Sequence, residues 1–178
     1  MRTLLAALLL LPSLASAQPL RIGLASDPDI LDPTLSRTSA GRVVFSGMCD
    51  KLVEIDAKLN FVPQLATGWT WQDDGKTLVL ALRPGVKFHD GATMDAAAVQ
   101  GALQRHLTMQ GSTRKAEMGP VTAIDATGPL EVKIRLSAPF APLVAALSDR
   151  AGMIMSPGSA AQTGEGFARA PGCAGPFR

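Results

Sequence analysis

Apolar and polar residues alternate most regularly from 130 to 136, where Leu130, Val132, Ile134 and Leu136 are separated by Glu131, Lys133 and Arg135. A period of two puts one face of a strand in a core and the other in water. Thr127-Gly128-Pro129 just before it is turn chemistry, so this strand is expected to be one arm of a hairpin. An earlier hairpin is expected from Gly68-Trp69-Thr70-Trp71, a turn at Gln72-Asp73-Asp74-Gly75 and a return over residues 76 to 82. There Asp74-Gly75 supplies the positive-φ turn position, and Leu78, Leu80 and Leu82 share one face. Between the hairpins the period changes. Val99, Ala102, Leu103, His106 and Leu107 fall on one stripe of a helix over 96 to 107, with Asp95 as its N-cap, Arg105 near its negative end and His106 at the edge of the core. Val43, Val44, Gly47, Met48 and Leu52 mark a second helical face between residues 39 and 53. Residues 20 to 25 alternate as a strand does and run into the turn-forming Ser26-Asp27-Pro28-Asp29.

The N-terminus obeys a different pattern. Arg2, an uncharged apolar run from Leu4 to Leu14 and Ala15-Ser16-Ala17 are the parts of an export signal cut after Ala17. The apolar run is shorter than the ~20 residues a spanning helix needs, and no cysteine lies near the cut for a lipid anchor. A periplasmic protein is expected. Without residues 1 to 17 the chain keeps 16 basic against 15 acidic residues, and the basic ones form no stripe, which argues against a nucleic-acid partner. Aromatic residues make up 4% and tyrosine is absent, so the core must be aliphatic. The remaining length suits about one domain.

Candidate chemistry centres on Phe88-His89-Asp90-Gly91. Asp90-Gly91 is a turn dipeptide between strand and helix, so these residues are expected to build a corner. A hydrolase using His89 would need a nucleophile, and the chain has no Gly-x-Ser-x-Gly elbow. His89 and His106 are the only histidines, no Cys-x-x-Cys or His-Glu-x-x-His occurs, and no Gly-rich phosphate loop is present; neither a metal nor a cofactor is expected.

Several segments in order carry a resemblance. Pro63-Gln64-Leu65-Ala66, Gly68-Trp69-x-Trp71, Asp74-Gly75-Lys76-Thr77 and the run from Leu82-Arg83-Pro84-Gly85 to Phe88-His89-Asp90-Gly91 resemble the signature region of the peptide/nickel-type (family 5) solute-binding proteins of ABC importers. Leu31-Asp32-Pro33, Leu52-Val53-Glu54-Ile55-Asp56, Val121 to Asp125, Leu136 to Phe140 and Ser156-Pro157 follow in the same order. The chain departs from the pattern at Ala97 and Ala98, where the family commonly has acidic residues, and at Cys173 and Ala174, in a segment resembling the family's Pro-x-Gly-Thr-Gly-Pro-aromatic stretch.

The resemblance implies a mixed α/β (α+β) fold of the periplasmic-binding-protein type II-like clamshell kind. Residues 18 to 178 would form most of a first lobe, apparently truncated before the second. It implies no covalent chemistry. A small solute, by default a peptide, is enclosed between lobes and delivered to an ABC permease in the inner membrane, by a protein that is a monomer when complete. Solute contacts are expected from Ser26, Asp27 and Asp29 after the first strand and from Phe45 and Met48 on the next helix, although the first three could only shape a turn and the last two could only be core. Cys49 and Cys173, the only cysteines, are expected to form a disulfide, since the second sits in a segment that should return to the core; the other reading makes Cys49 a small core residue. Three functions stay open: an importer's binding component, a truncated and nonfunctional lobe, and a secreted hydrolase using His89.

Overall fold

The computed structural model describes residues 20–161 and 165–177; the expected export signal lies outside them. Both expected hairpins form, and they share one antiparallel sheet. β3 (Ala66–Gln72) pairs with β4 (Thr77–Leu82), and β5 (Val121–Gly128) pairs with β6 (Glu131–Leu136); the strand order is β3-β4-β6-β5. The register joins Leu78 to Ile134 and Leu80 to Val132, so the apolar faces read from the sequence coincide across the β4–β6 seam. The first hairpin turns through a short 3-10 segment, Asp73–Gly75, in which Gly75 (φ 81°) is joined in the left-handed region by both aspartates. A smaller two-stranded sheet, β1 (Val53–Ile55) with β2 (Phe61–Pro63), precedes them.

Helix α2 (Ala96–Thr108) covers β5 and β6. Asp95 caps it, its carboxylate accepting from the Ala98 N–H at 2.8 Å, so one of the free donors of the first turn is satisfied as expected. Its stripe of Val99, Ala102 and Leu103 is buried with Leu78, Leu80, Ile124, Val132 and Ile134 in one aliphatic core. Arg105 and His106 belong to that buried stripe as well, and His106 is wholly buried rather than at the core's edge. Their polar atoms are met from the opposite side by the loop that follows residue 28.

Two expectations need correction. Residues 20–25 are extended but form no strand: no described residue pairs with them, and Leu20, Ile22 and Leu24 are 85%, 72% and 40% exposed. Alternation alone cannot hold a strand, whose backbone groups need a neighbouring ladder. The helical face expected across residues 39 to 53 ends earlier. α1 spans Ser39–Met48; Cys49 is already extended and Leu52 and Val53 are taken up by the small sheet and its neighbours. The buried positions of α1 are Ala40, Gly41 and Phe45, while Val43 points to solvent. Gly41 sets this orientation, since a Cβ there would lie 2.3 Å from the Ser36 hydroxyl, so the helix can approach the preceding loop only at a glycine.

The remaining elements are short: α3 (Arg114–Glu117), α4 (Leu143–Ala146), α5 (Pro157–Ala160) and α6 (Glu165–Arg169), with a 3-10 turn at Arg150–Gly152. Among the described residues no helix is long and apolar enough to cross a membrane.

Candidate functional site

The loop from Asp29 to Thr38 is organised by its own side chains. Asp29 accepts from the Ser36 hydroxyl (2.7 Å), the Arg37 N–H (2.7 Å) and the Thr38 hydroxyl (2.9 Å). Partial burial opposes ionisation, but these donors outweigh it together and hold the carboxyl well below the usual range. Thr38 in turn caps α1 through the Gly41 N–H at 3.1 Å. Deeper in the loop, Asp32 is fully buried and receives Arg105 in bidentate fashion, at 2.9 Å to Oδ1 and 2.7 Å to Oδ2. Arg105 also donates to the Thr34 hydroxyl and to the Ala160 carbonyl (3.1 Å), and it lies 4.9 Å from the centre of the Phe167 ring. Removing one partner from such a buried pair costs about 3–5 kcal/mol.

His106 completes this layer. Its Nε2 is 3.2 Å from the Met153 carbonyl, which can only accept, so Nε2 carries the proton and Nδ1 accepts from the Thr34 hydroxyl at 3.0 Å. Burial disfavours the imidazolium and depresses its pKa to about 4, with Arg105 and Arg114 adding to the effect. The imidazole is therefore a neutral strut between loop and core.

Two more arginines lie under the same loop. Arg150 donates from Nη1 to the Ser36 carbonyl at 2.9 Å and the Thr38 carbonyl at 3.3 Å. Arg114 reaches the same Ser36 oxygen from Nη2 at 3.4 Å, bonds the Thr113 hydroxyl, and pairs with Glu117 at 3.0 Å. Arg114 is 1% and Arg150 6% exposed. Burial lowers the Arg114 pKa from its ordinary value, Glu117 opposing and Arg150 reinforcing the shift. The Nε and Nη1 groups of Arg114 and the Nε of Arg150 are buried with no hydrogen-bond partner among the described residues. Nearby, a groove of about 420 Å³ is lined by Arg42, Lys51, Ser148, Asp149 and Met153, with Arg42 and Asp149 joined at 2.7 Å.

At another side of the fold the His89 corner and the C-terminal segment are tied together. Phe88 and Gly91 close the corner through Phe88 N–H to Ala92 O and Gly91 N–H to Phe88 O, both 2.9 Å, with Gly91 at φ 85°. The His89 N–H donates to the Cys173 carbonyl at 2.9 Å, and its Nε2 lies 3.0 Å from the Gly175 carbonyl. Cys173 forms a disulfide with Cys49 across a Cα separation of 5.0 Å. Further bonds run from Asp50 N–H to Ala174 O (2.5 Å) and from Ser156 N–H to Gly172 O (2.9 Å). The approach is so close that a Cβ on Gly175 would lie 2.2 Å from the Met48 carbonyl. A groove of about 560 Å³ opens beside this junction, lined among others by Leu31, Met48, Asp90, Arg169 and Pro171. Among the described residues no group of three His, Cys, Asp or Glu side chains could hold a metal ion.

The expected solute-contact residues are not brought together. Ser26 and Asp27 are exposed in the extended N-terminal stretch, Asp29 is occupied by its own loop, Phe45 is 0% exposed in the core, and Met48 lines the larger groove. Sequence reasoning passed over Arg114 and Arg150. The chain's basic residues are scattered, and nothing in the pattern around Ser112-Thr113-Arg114 or Asp149-Arg150 shows that both would meet Ser36.

Known proteins share this fold. The chain superposes on AgaA, a periplasmic binding protein from A. tumefacien R10 solved with agropinic acid, at a TM-score of 0.78 and 28% identity, covering 85% of this chain and 31% of that one. It also superposes on DppA from Helicobacter pylori, solved with the peptide STSA, at a TM-score of 0.74 and 23% identity, over 85% and 34% of the two chains. In sequence it is 30% identical over 168 residues to the glutathione-binding protein GsiB of Salmonella paratyphi A, and 31% identical over 149 residues to GsiB of Pectobacterium atrosepticum. These alignments cover 94% and 83% of this chain but 33% and 29% of the relatives, so the chain spans about a third of the length of the curated relatives it matches. The fold is the mixed α/β fold of type II-like periplasmic binding proteins. The profile of the bacterial extracellular solute-binding proteins, family 5 Middle, matches residues 60–178, and the chain belongs to that family.

Proposed function

We propose that this chain forms the solute-capturing part of an ABC importer's periplasmic binding protein. The observation that carries this reading is the family match across residues 60–178, which includes the His89 corner and the disulfide-linked segment. Residues 1 to 17 direct export, and residues 18 to 178 build most of one lobe of a clamshell. The solute is a peptide or a related small molecule, glutathione being what the GsiB relatives are named for. Met48, which lines the larger groove, and the exposed Ser26 and Asp27 are the contacts we assign to the solute, while Asp29 shapes its loop and Phe45 packs in the core. A protein of this kind acts as a monomer when complete, needs no cofactor, and passes its solute to a permease of the inner membrane. It binds without turning its solute over.

Calorimetry against short peptides, glutathione and opines, with product analysis of each mixture, tests this. Saturable binding with recovery of unchanged solute is expected. Turnover that disappears in His89→Ala would replace the reading with a hydrolase, and no binding by a correctly folded chain would replace it with a nonfunctional lobe.

A further inference from the structure

The four-stranded sheet ends in two edges, β3 and β5, and they are built differently. Along β5 the register shifts twice, between Val121 and Ala123 and between Ala126 and Gly128. Asp125 puts a charge in that strand, and the Gln100 side chain of α2 donates to the Ile124 carbonyl at 2.6 Å. Bulges, charges and a covering element are the means by which proteins keep an edge from pairing. β3 has none of them beyond its first residues. Its register shift lies between Ala66 and Gly68, the Ala66 N–H donates to the Leu52 carbonyl, and residues 67–72 carry neither charge nor proline. In an antiparallel pair every second residue turns its N–H and C=O away from the partner strand. Among the described residues no backbone hydrogen bond from outside the sheet reaches residues 67–72.

Grooves open on both faces of this strand. Trp69 and Trp71 stand opposite Leu80 and Leu78, on the core face. α2 packs chiefly on β5 and β6, and Trp71 stays 37% exposed, lining a groove of about 220 Å³ with Gly75, Pro139 and Phe140. On the other face Gly68, Ala81 and Glu131 form one cross-strand row, with Thr70 and Val79 beside it. These five residues line a trough of about 370 Å³, kept low by the small Gly68 and Ala81. Successive residues of a strand point to opposite faces, so a strand laid on this edge sends alternate side chains into the two grooves.

We propose that β3 is the docking edge for an extended segment of another protein, which adds to the sheet as a fifth strand. Main-chain bonds to residues 67–72 hold it, and the two grooves select its side chains. An aliphatic side chain enters between Trp71 and Phe140, where burial against aromatic walls is favourable. The residue for the trough is an arginine. Its stem lies along Gly68 and Ala81, and its guanidinium reaches the Glu131 carboxylate two strands in from the edge. Among the described residues Glu131 is met through Oε1, by the Thr127 hydroxyl at 2.6 Å and by Lys133 at 3.8 Å, and Oε2 is left to accept. A second copy of β3 fits less well, since it would bring Gly68, Thr70 and Gln72 to the trough and no cation for Glu131. The edge shares no lining residue with the groove beside the disulfide, so this docking goes beyond solute capture and does not rest on it.

The test titrates the full ¹⁵N-labelled chain with a capped seven-residue peptide of threonines bearing a leucine and, three positions later, an arginine. Two control peptides accompany it. One has leucine and arginine two positions apart, on the same face, and the other carries N-methyl groups in place of its backbone amide protons. Saturable shifts of the amides of residues 67–72 and a change in tryptophan emission are expected, with both controls at least ten-fold weaker. Trp71→Ala should abolish binding. Glu131→Gln should erase the advantage of arginine over norleucine in the peptide and keep the dependence on leucine. Controls that bind wild-type protein as well as the peptide does, or no binding at millimolar peptide, would overturn the docking edge. Shifts confined to residues around Cys173 would also overturn it, while still reporting solute capture. Shifts at residues 67–72 on raising the protein concentration alone would give the edge to a second copy instead. The comparison of peptides needs no variant, so a substitution that fails to fold does not shield the proposal.

Discussion

His106 shows how a single buried side chain sets a pH response. Its folded pKa of about 4 lies below the ordinary 6.5, so between these values the unfolded chain takes up a proton that the folded protein refuses. Stability is full above pH 6.5 and falls as the pH drops toward 4, by on the order of 3 kcal/mol if His106 acted alone. Asp50 works in the opposite sense, since burial and then Glu54 raise its pKa, and it blunts the slope. Asp29, Asp56 and Asp90 are all lowered, so their stabilisation is lost only below their ordinary value of 3.8. Urea unfolding at several pH values should show a decline between pH 6.5 and 4 that His106→Gln flattens; an unchanged slope in the variant would remove the imidazole from the account. Asp95 offers a simpler case. Its bond to the Ala98 N–H is the side-chain cap of α2, and Ala96, Ala97 and Ala98 give the first turn no acidic residue to share the task. Asp95→Ala is expected to cost about 0.5–2 kcal/mol in a thermal or urea melt.

Elements were legible in the sequence where the pattern was local. The two hairpins follow from Asp74-Gly75, Thr127-Gly128-Pro129 and the alternating leucines and valines, and α2 follows from its stripe and Asp95. The expected strand at residues 20–25 fails for want of a described partner, information that alternation does not contain. α1 stops at Met48 because long-range contacts take over: Cys49 is bonded to Cys173, and Lys51 pairs with Met153. The arginine pair was invisible for the same reason, since Ser36 lies 78 residues from Arg114 and 114 from Arg150. The turn expected at Phe88–Gly91 forms, although the sequence does not show what His89 touches there, which is the segment carrying Cys173 and Gly175. His89→Ala should therefore lower stability by about 1 kcal/mol. The expected readout is a modest drop in melting temperature, with faster amide exchange around residue 175. Exchange unchanged there would separate the imidazole from the segment.

At the scale of the whole molecule, the described residues are closed by a covalent link and expose an apolar stretch near residue 20. The bridge spans a sequence separation of 124 residues. In the chain-entropy account, closing a loop of that size stabilises by about 4–5 kcal/mol. Cys173→Ser, or dithiothreitol on the wild type, should lower the urea midpoint accordingly; a shift below a third of that would mean that the unfolded chain is already constrained. The open stretch is the row Leu20, Ile22 and Leu24, whose exposed extended backbone can pair with another copy. Sedimentation at rising concentration is expected to show self-association that Ile22→Lys reduces without altering the melt. The bridge also dictates an order of events during biosynthesis. Cys49 leaves the ribosome 124 residues ahead of Cys173, a wait of roughly 6–25 s at about 5–20 residues per second. During that interval Cys49 is a thiol with no correct partner in its own chain. A thiol that waits so long can be captured by another polypeptide as a mixed disulfide, so the hazard in maturation is intermolecular, and the native bridge cannot close before Cys173 has emerged.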